Sequence, residues 1–302
     1  MFKSRRARVD GKDIKPPTHS LSDRLTPLLF LAPLLVLFGL TCAYMIGNSL
    51  MAHAIFRPPH WNGLTNYIQV LSSLAFWRSL WFGLKWAVET VIVQTIVGFA
   101  FALLLNEAFV ARNTIRAIIF IPYLLMVPVT AILVMLIFGS TFGVLSLALR
   151  ALGTGVQWYD QDHASILLTI AATWQYAPFS MLILLAGLQG ISNELYDAAR
   201  IDGATALQRF RHVTLPGMRD ALFVAIVLRI IFMFNKFDLP WLITAGGPSD
   251  ATTNVPVFAY KEAFQKFNLG TASAAGVLMV IIVFILVLVH FWFYKLSTRD
   301  QQ

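Results

Sequence analysis

Cysteine is almost absent: the chain of 302 residues has one, Cys42, set inside an apolar run. An intramolecular disulfide and a thiolate metal cluster are thereby excluded, leaving a small packing residue. Charge is scarce as well, with 13% of residues charged against 58% hydrophobic and a mean hydropathy of +0.70. That balance excludes an ordinary soluble domain. No GxxxxGK[ST] phosphate loop occurs, so the chain has no means of hydrolysing ATP alone. The six histidines (His19, His53, His60, His163, His212 and His290) are scattered, with no pair at metal-ligand spacing and no clear Ser/His/Asp arrangement. No catalytic residue and no metal site are expected.

What is present is apolar sequence in long runs. Six are long enough to cross a bilayer, at roughly 27–50, 79–106, 115–138, 164–189, 217–243 and 271–295. Helices are the only sensible spanning form, because backbone groups in lipid must be satisfied within the segment. The expectation is an all-α membrane protein of six transmembrane helices: a basic tail over residues 1–26, then one membrane domain over 27–302. The net charge of +8 points to no nucleic acid, since seven Lys and Arg lie before residue 27 and read as a cytoplasmic tail. The first apolar run exceeds the short core of a cleaved signal and is read as a span. With the tail inside, the inner segments hold fifteen Lys and Arg and the outer loops six, which places both termini in the cytoplasm. Trp77, Trp81, Trp158, Tyr159 and Trp241 mark the outer boundary, and "RPPHWNG" and "TAGGPSD" read as turns in the outer loops.

One segment breaks the pattern. "NELYDAARIDGATALQRFRHVTLPG", between the fourth and fifth runs, is charged, broken by glycine and ended by proline. It reads as two short cytoplasmic helices. The first starts at Ser192 or Asn193, with Glu194 suiting the helix N-terminus, and ends at Gly203. The second has Thr205 and Gln208 at capping-box spacing, then Leu207, Phe210 and Val213 about one turn apart, until Pro216 stops it and opens the fifth span. Leu195, Ala198 and Ala199 share a face whose two alanines leave a shallow surface for another protein's groove. Asp197, Arg200 and Asp202 stand at its rim.

This segment resembles the EAA loop of ABC importer permeases, specifically the carbohydrate-uptake type related to the maltose permeases. "GLTNYIQVL", "IFIPYLLMVPV", "TWQYAPFSMLILLAGLQGI", "FDLPWLITAGGPSDAT" and "LGTASAAGVLMV" resemble that family in the same order. The resemblance implies a coupling loop over residues 192–216 that docks on a cytoplasmic ATPase subunit. Asp197, Ala198, Ala199, Gly203, Leu215 and Pro216 fall on its motif positions, with Asp197 where the family is named for Glu. Asp202 and Phe210 complete the expected coupling set. The resemblance further implies two ATP-binding subunits that use ATP and Mg, with no cofactor bound by this chain. It implies a second permease subunit of different sequence, an extracytoplasmic solute-binding protein, a carbohydrate substrate and a multi-pass place in a bacterial cytoplasmic (inner) membrane.

Polar residues within the spans are the candidates for the solute pathway, since each intramembrane charge costs at least ~2.5 kcal/mol unless it faces protein or water. Arg229 lies about 18 Å along the fifth run from Gly217. Two readings of it stand: a donor to substrate hydroxyls or a carboxylate, or a structural pair with a carboxylate on a neighbouring helix. Asn235, Lys236 and Asp238, higher on the same run, either line a cavity mouth or are ordinary solvated residues. Trp174, Gln175 and Tyr176, before Pro178, suit sugar stacking and hydroxyl bonding as well as bundle packing. Lys85 and Glu89 are spaced for a mutual ion pair. The rival class, an ion-coupled secondary transporter working without an ATPase, has in Glu89 its one clear intramembrane carboxylate.

Overall fold

The computed structural model describes residues 21–54 and 58–299, with side chains over 32–54 and 58–295. Residues 1–20 of the expected basic tail, and Arg57 of the first outer loop, lie outside the described residues. Residues 21–26 already belong to a helix. The chain divides into two compact units, one ending at Gly47 and the other beginning at Asn48. The first unit holds most of α1 (Leu21–Ser49), whose side chains from Leu34 to Phe38 are all exposed. A helix apolar on every side is suited to lipid.

The second unit opens with a short antiparallel hairpin, β1 (Met51–Ala52) against β2 (His60–Trp61), with Met51 opposite Trp61. The all-helical expectation did not contain it. Pro58 and Pro59 bar a helix there, and strand pairing satisfies the backbone instead. α2 (Thr65–Ser72) follows, then α3 (Leu74–Asn106), started by Ser73, whose hydroxyl accepts from the Phe76 N–H. At 33 residues α3 is about 50 Å long, ample for a ~30 Å hydrocarbon core.

The third run, expected as one span, is two helices. α4 (Arg112–Leu124) and α5 (Val127–Phe138) are bent by 97° at Leu125–Met126. Pro122 removes a donor near the end of α4, Pro128 stands in the first turn of α5, and the two residues between the helices are extended. α6 (Val144–Ala151) leads to α7 (Ala164–Gln189), which coincides with the expected fourth span and runs through Pro178. Beyond it come α8 (Asn193–Ile201), α9 (Ala206–Arg209), a π-helical turn over Phe210–Thr214, α10 (Leu215–Gly217) and α11 (Arg219–Phe234).

The fifth run is also divided, because α11 stops before α12 (Asp238–Thr244). Asn235 returns its side-chain amide to the Ile231 carbonyl at 2.8 Å and so ends α11. Sixteen residues give α11 about 24 Å, less than the hydrocarbon core. α13 (Val255–Tyr260), a π-helical turn over Lys261–Gln265 and α14 (Leu269–Arg299) complete the chain. Among the described residues, four helices are individually long and apolar enough to cross a membrane, or five if the bent α4–α5 pair is one span.

α3 and α7 form the most extensive helix contact of the second unit. Gly98 permits it: a Cβ there would sit 2.8 Å from Ser180 Cβ and 2.9 Å from the Met181 nitrogen. Small residues let helix backbones approach where lipid supplies no hydrophobic drive. Trp86, Leu167, Leu168 and Phe234 are buried in one apolar cluster, and Leu105, Met181, Leu184 and Met218 in a second, nearer the α7–α11 connection.

Candidate functional site

The connection from α7 to α11 is a largely exposed handle. Ser192 caps α8 by accepting from the Glu194 N–H at 3.3 Å, and Gly203 ends it with φ of +72°, a conformation open to glycine at little cost. Thr205 and Gln208 form both bonds of the expected capping box, at 3.3 and 2.7 Å. Pro216 does not stop the second helix. The π-helical turn carries the chain into α10, with Pro216 in its first turn, and α11 follows at once. The Tyr196 hydroxyl meets the Thr214 hydroxyl at 3.0 Å, and Phe210 packs on Phe99 of α3 with ring centres 5.8 Å apart. The handle is therefore tied to itself and braced against α3.

Its surface is open. α8 has no buried residue; Asp197, Ala198, Asp202, Gly203, Leu215 and Pro216 are exposed, Ala199 is half-buried, and Phe210 is half-buried against Phe99. Asp197 accepts from Arg200 at 3.1 Å, so the two rim charges engage each other. An exposed pair of this kind is worth only about 0–1 kcal/mol and opens readily for a partner. Ile201 is 87% exposed and Leu207 75%. A cleft of about 620 Å³ lies elsewhere, between α3 and the loop after α12, where Asp250 accepts from Lys261 at 2.6 Å. That hydrogen bond holds the Asp250 carboxyl below its usual range.

The second assembly is deep in the helices. Arg229 on α11 is 3% exposed and donates from Nε at 2.7 Å and from Nη2 at 2.5 Å to Oε1 of Gln94 on α3. Gln94 in turn donates to the Ala172 carbonyl of α7 at 3.0 Å. The Arg229 Cζ stands 5.0 Å from the ring centre of Tyr176 and 5.9 Å from that of Phe179. Lys236 approaches the same Tyr176 ring at 4.5 Å and pairs with Asp238 at 3.1 Å. Tyr123 of α4 stacks on Phe179 and meets Tyr176 edge-on. Gln175 donates to the Leu125 carbonyl at 3.0 Å and so fastens α7 to the α4–α5 break.

Arg229, Lys236, Asp238 and Tyr176 are thus brought together, with Gln175 beside them. Trp174 is not, being 43% exposed on another side of α7, and Asn235 is spent on its own helix end. Of the two readings of Arg229, the pair with a carboxylate is not found among the described residues; its partner is an amide. Gln94 was missed because it carries no charge; an amide inside an apolar run was the available signal. Tyr123 and Phe179 were missed as ordinary aromatics. Glu89, on which an ion-coupled mechanism would depend, faces Lys85 at 3.6 Å as its spacing predicted, and nothing supports that mechanism.

Residues 94–301 match the family described as "Binding-protein-dependent transport system inner membrane component". The trehalose/maltose transport system permease protein MalF of Thermococcus litoralis is 38% identical, covering 75% of this chain and 76% of its own. The sulfoquinovosyl glycerol transport system permease protein SmoG of Agrobacterium fabrum is 32% identical, covering 90% and 92%. In fold, the chain is similar to a subunit of a bacterial ABC transporter involved in the import of the acidic polysaccharide alginate, with a TM-score of 0.76, 22% identity and coverage of 93% and 98%. With the family model spanning more than two thirds of its length, the chain belongs to the inner membrane components of binding-protein-dependent transport systems.

Proposed function

We propose that the chain is the permease subunit of an ATP-driven ABC importer that carries a carbohydrate or related solute into the cell. The exposed handle carries this reading: a capped helix pair, braced on α3 and continuous with α11, is suited to being gripped and to passing a pull to the membrane helices. The sugar-permease relatives support the solute class. In this account the chain crosses the membrane six times, counting α4–α5 and α11–α12 as broken spans, with both termini and residues 192–216 in the cytoplasm.

Two ATPase subunits bind the ATP and Mg, and one of them grips Asp197, Ala198, Ala199, Asp202 and Gly203 in its cleft. Phe210, Leu215 and Pro216 transmit the movement to α11. A second permease subunit of different sequence completes the pathway, and an extracytoplasmic binding protein delivers the solute to the outer loops. Closure of the ATPases pulls the handle, the helices switch the central path outward, and Arg229, Lys236, Asp238, Tyr176 and Gln175 meet the solute. Hydrolysis resets the cycle.

Photo-crosslinking tests the grip. A198C, made in a chain whose Cys42 is replaced by serine, is labelled with a photoactivatable crosslinker in native membranes. The product expected is a crosslink to an ATPase subunit whose yield changes with ATP; labelling that captures only lipid contradicts the assigned grip.

A further inference from the structure

Two charged side chains are buried among the described residues, Glu262 and Arg229. They differ in one respect. Glu262 receives Lys266 at 2.6 Å, whereas Arg229 has no carboxylate within ion-pair distance among the described residues. Its partners are the amide of Gln94, the thioether of Met233 at 3.8 Å and two aromatic faces. None of these neutralises a cation. Lys236 is balanced by Asp238, so the assembly keeps one net positive charge.

A guanidinium is an unsuitable strut for such a place. The same three helices are joined more safely by neutral side chains, because an uncompensated buried charge loses its hydration and receives no counter-charge in return. The positions of the donors also matter. Gln94 occupies Nε and Nη2, and Nη1 has no hydrogen-bond partner among the described residues. The hydroxyl of Tyr176, on a residue 8% exposed, has none either. One planar cationic donor, one phenolic donor and the aromatic rings of Tyr176 and Tyr123 thus stand together, and the one carboxylate near them, Asp238, is engaged by Lys236.

We infer that this assembly takes an anionic group, and that the solute is an acidic saccharide bearing a carboxylate, sulfonate or phosphate. The inference rests on the importer reading and narrows its substrate class. Arg229 is a specificity residue here: Nη1 donates to the anion, Tyr176 donates beside it, and the rings take the apolar face of the sugar. Gln94 holds the guanidinium in plane through the other two nitrogens. Arg229 is nearly sealed in this arrangement, so the anion reaches it when the helices part during transport.

The test uses the complete importer, purified with its partner chains and binding protein and reconstituted in proteoliposomes energised with ATP. Uptake is compared within matched pairs: digalacturonate and its dimethyl ester, trehalose 6-phosphate and trehalose, 6-deoxy-6-sulfoglucose and glucose. The expected result is uptake of at least one acidic member at about 10- to 100-fold the rate of its neutral counterpart, the worth of a charge-assisted hydrogen bond. R229Q is expected to erase that ratio and R229K to keep part of it. Wild-type selectivity is read first, so a variant that fails to assemble does not remove the test. Equal or faster uptake of the neutral members, or uptake of no acidic member, overturns the inference and assigns the missing counter-charge to the second permease subunit. The importer reading falls separately, if no ATPase subunit accompanies the chain.

Discussion

Arg229 and Gln94, 135 residues apart in sequence, are joined by two hydrogen bonds that converge on one oxygen, Gln94 Oε1. The pair fixes α11 to α3 and, through the Ala172 carbonyl, to α7. Because α11 is also the continuation of the handle, a pull on residues 192–216 arrives at this junction.

Stability and selectivity should separate at that junction. Q94L leaves the guanidinium without its acceptor and is expected to cost about 1.5–3 kcal/mol, the range for a hydrogen bond to a charged group. R229M alone strands only a neutral acceptor and costs about 1–3 kcal/mol. The double variant R229M/Q94L removes both groups and is expected to regain most of the stability without regaining the preference for acidic solutes. Thermal unfolding in detergent of the four proteins closes the cycle, and additive losses would contradict the pairing.

Gly203 makes the turn between α8 and α9. Its φ of +72° is closed to proline, whose ring holds φ near −65°. G203P is expected to abolish ATP-dependent uptake while the chain stays in the membrane, since no membrane-buried contact involves Gly203. Uptake rate and membrane abundance are measured together. Normal uptake by this variant would refute the role of the handle.

Gly98 sets the spacing of α3 and α7. G98A forces Ser180 and Met181 to give way and should cost about 1 kcal/mol, and G98L about 3 kcal/mol, as overpacking does elsewhere. Unfolding midpoints should fall in that order. A neutral leucine would show that the two helices are not held at this separation.

The outer cleft carries a weak pH dependence through Asp250. Its carboxyl is lowered by the Lys261 hydrogen bond, so the folded state binds its proton less readily than the unfolded chain. The stabilisation is therefore present above the unfolded carboxylate value of about 3.9 and is lost as pH falls through the lower folded value. Because Asp250 is 68% exposed, the effect is confined to the loop. Proteolysis of the segment 246–261 should increase as pH falls from 5 to 3, and D250N should remove most of that response.

How much was legible varies by element. α7 was read to the residue because its apolar run has turn residues before it and a capped polar loop after it. The Thr205–Gln208 capping box followed from spacing alone, since both of its bonds are local. The breaks at Leu125–Met126 and Asn235–Phe237 were not read, because hydropathy counts apolar residues and is blind to chain direction; Pro122 and Pro128, six apart, were the signal. Trp174, Gln175 and Tyr176 were grouped although successive helical residues turn by about 100°, so three in a row cannot share one face. Arg229 was singled out by its charge, but its partner came from a helix more than a hundred residues away and carried no charge to reveal it.

The central claim is that the handle couples this chain to a separate ATPase subunit. Purification of the tagged chain from its own membranes in mild detergent, with co-purifying chains identified by mass spectrometry and the recovered material assayed for uptake in liposomes with and without ATP, tests it most directly. The account predicts an ATPase subunit and a second permease in the preparation, and uptake only with ATP. A lone, folded chain that transports without ATP would contradict it.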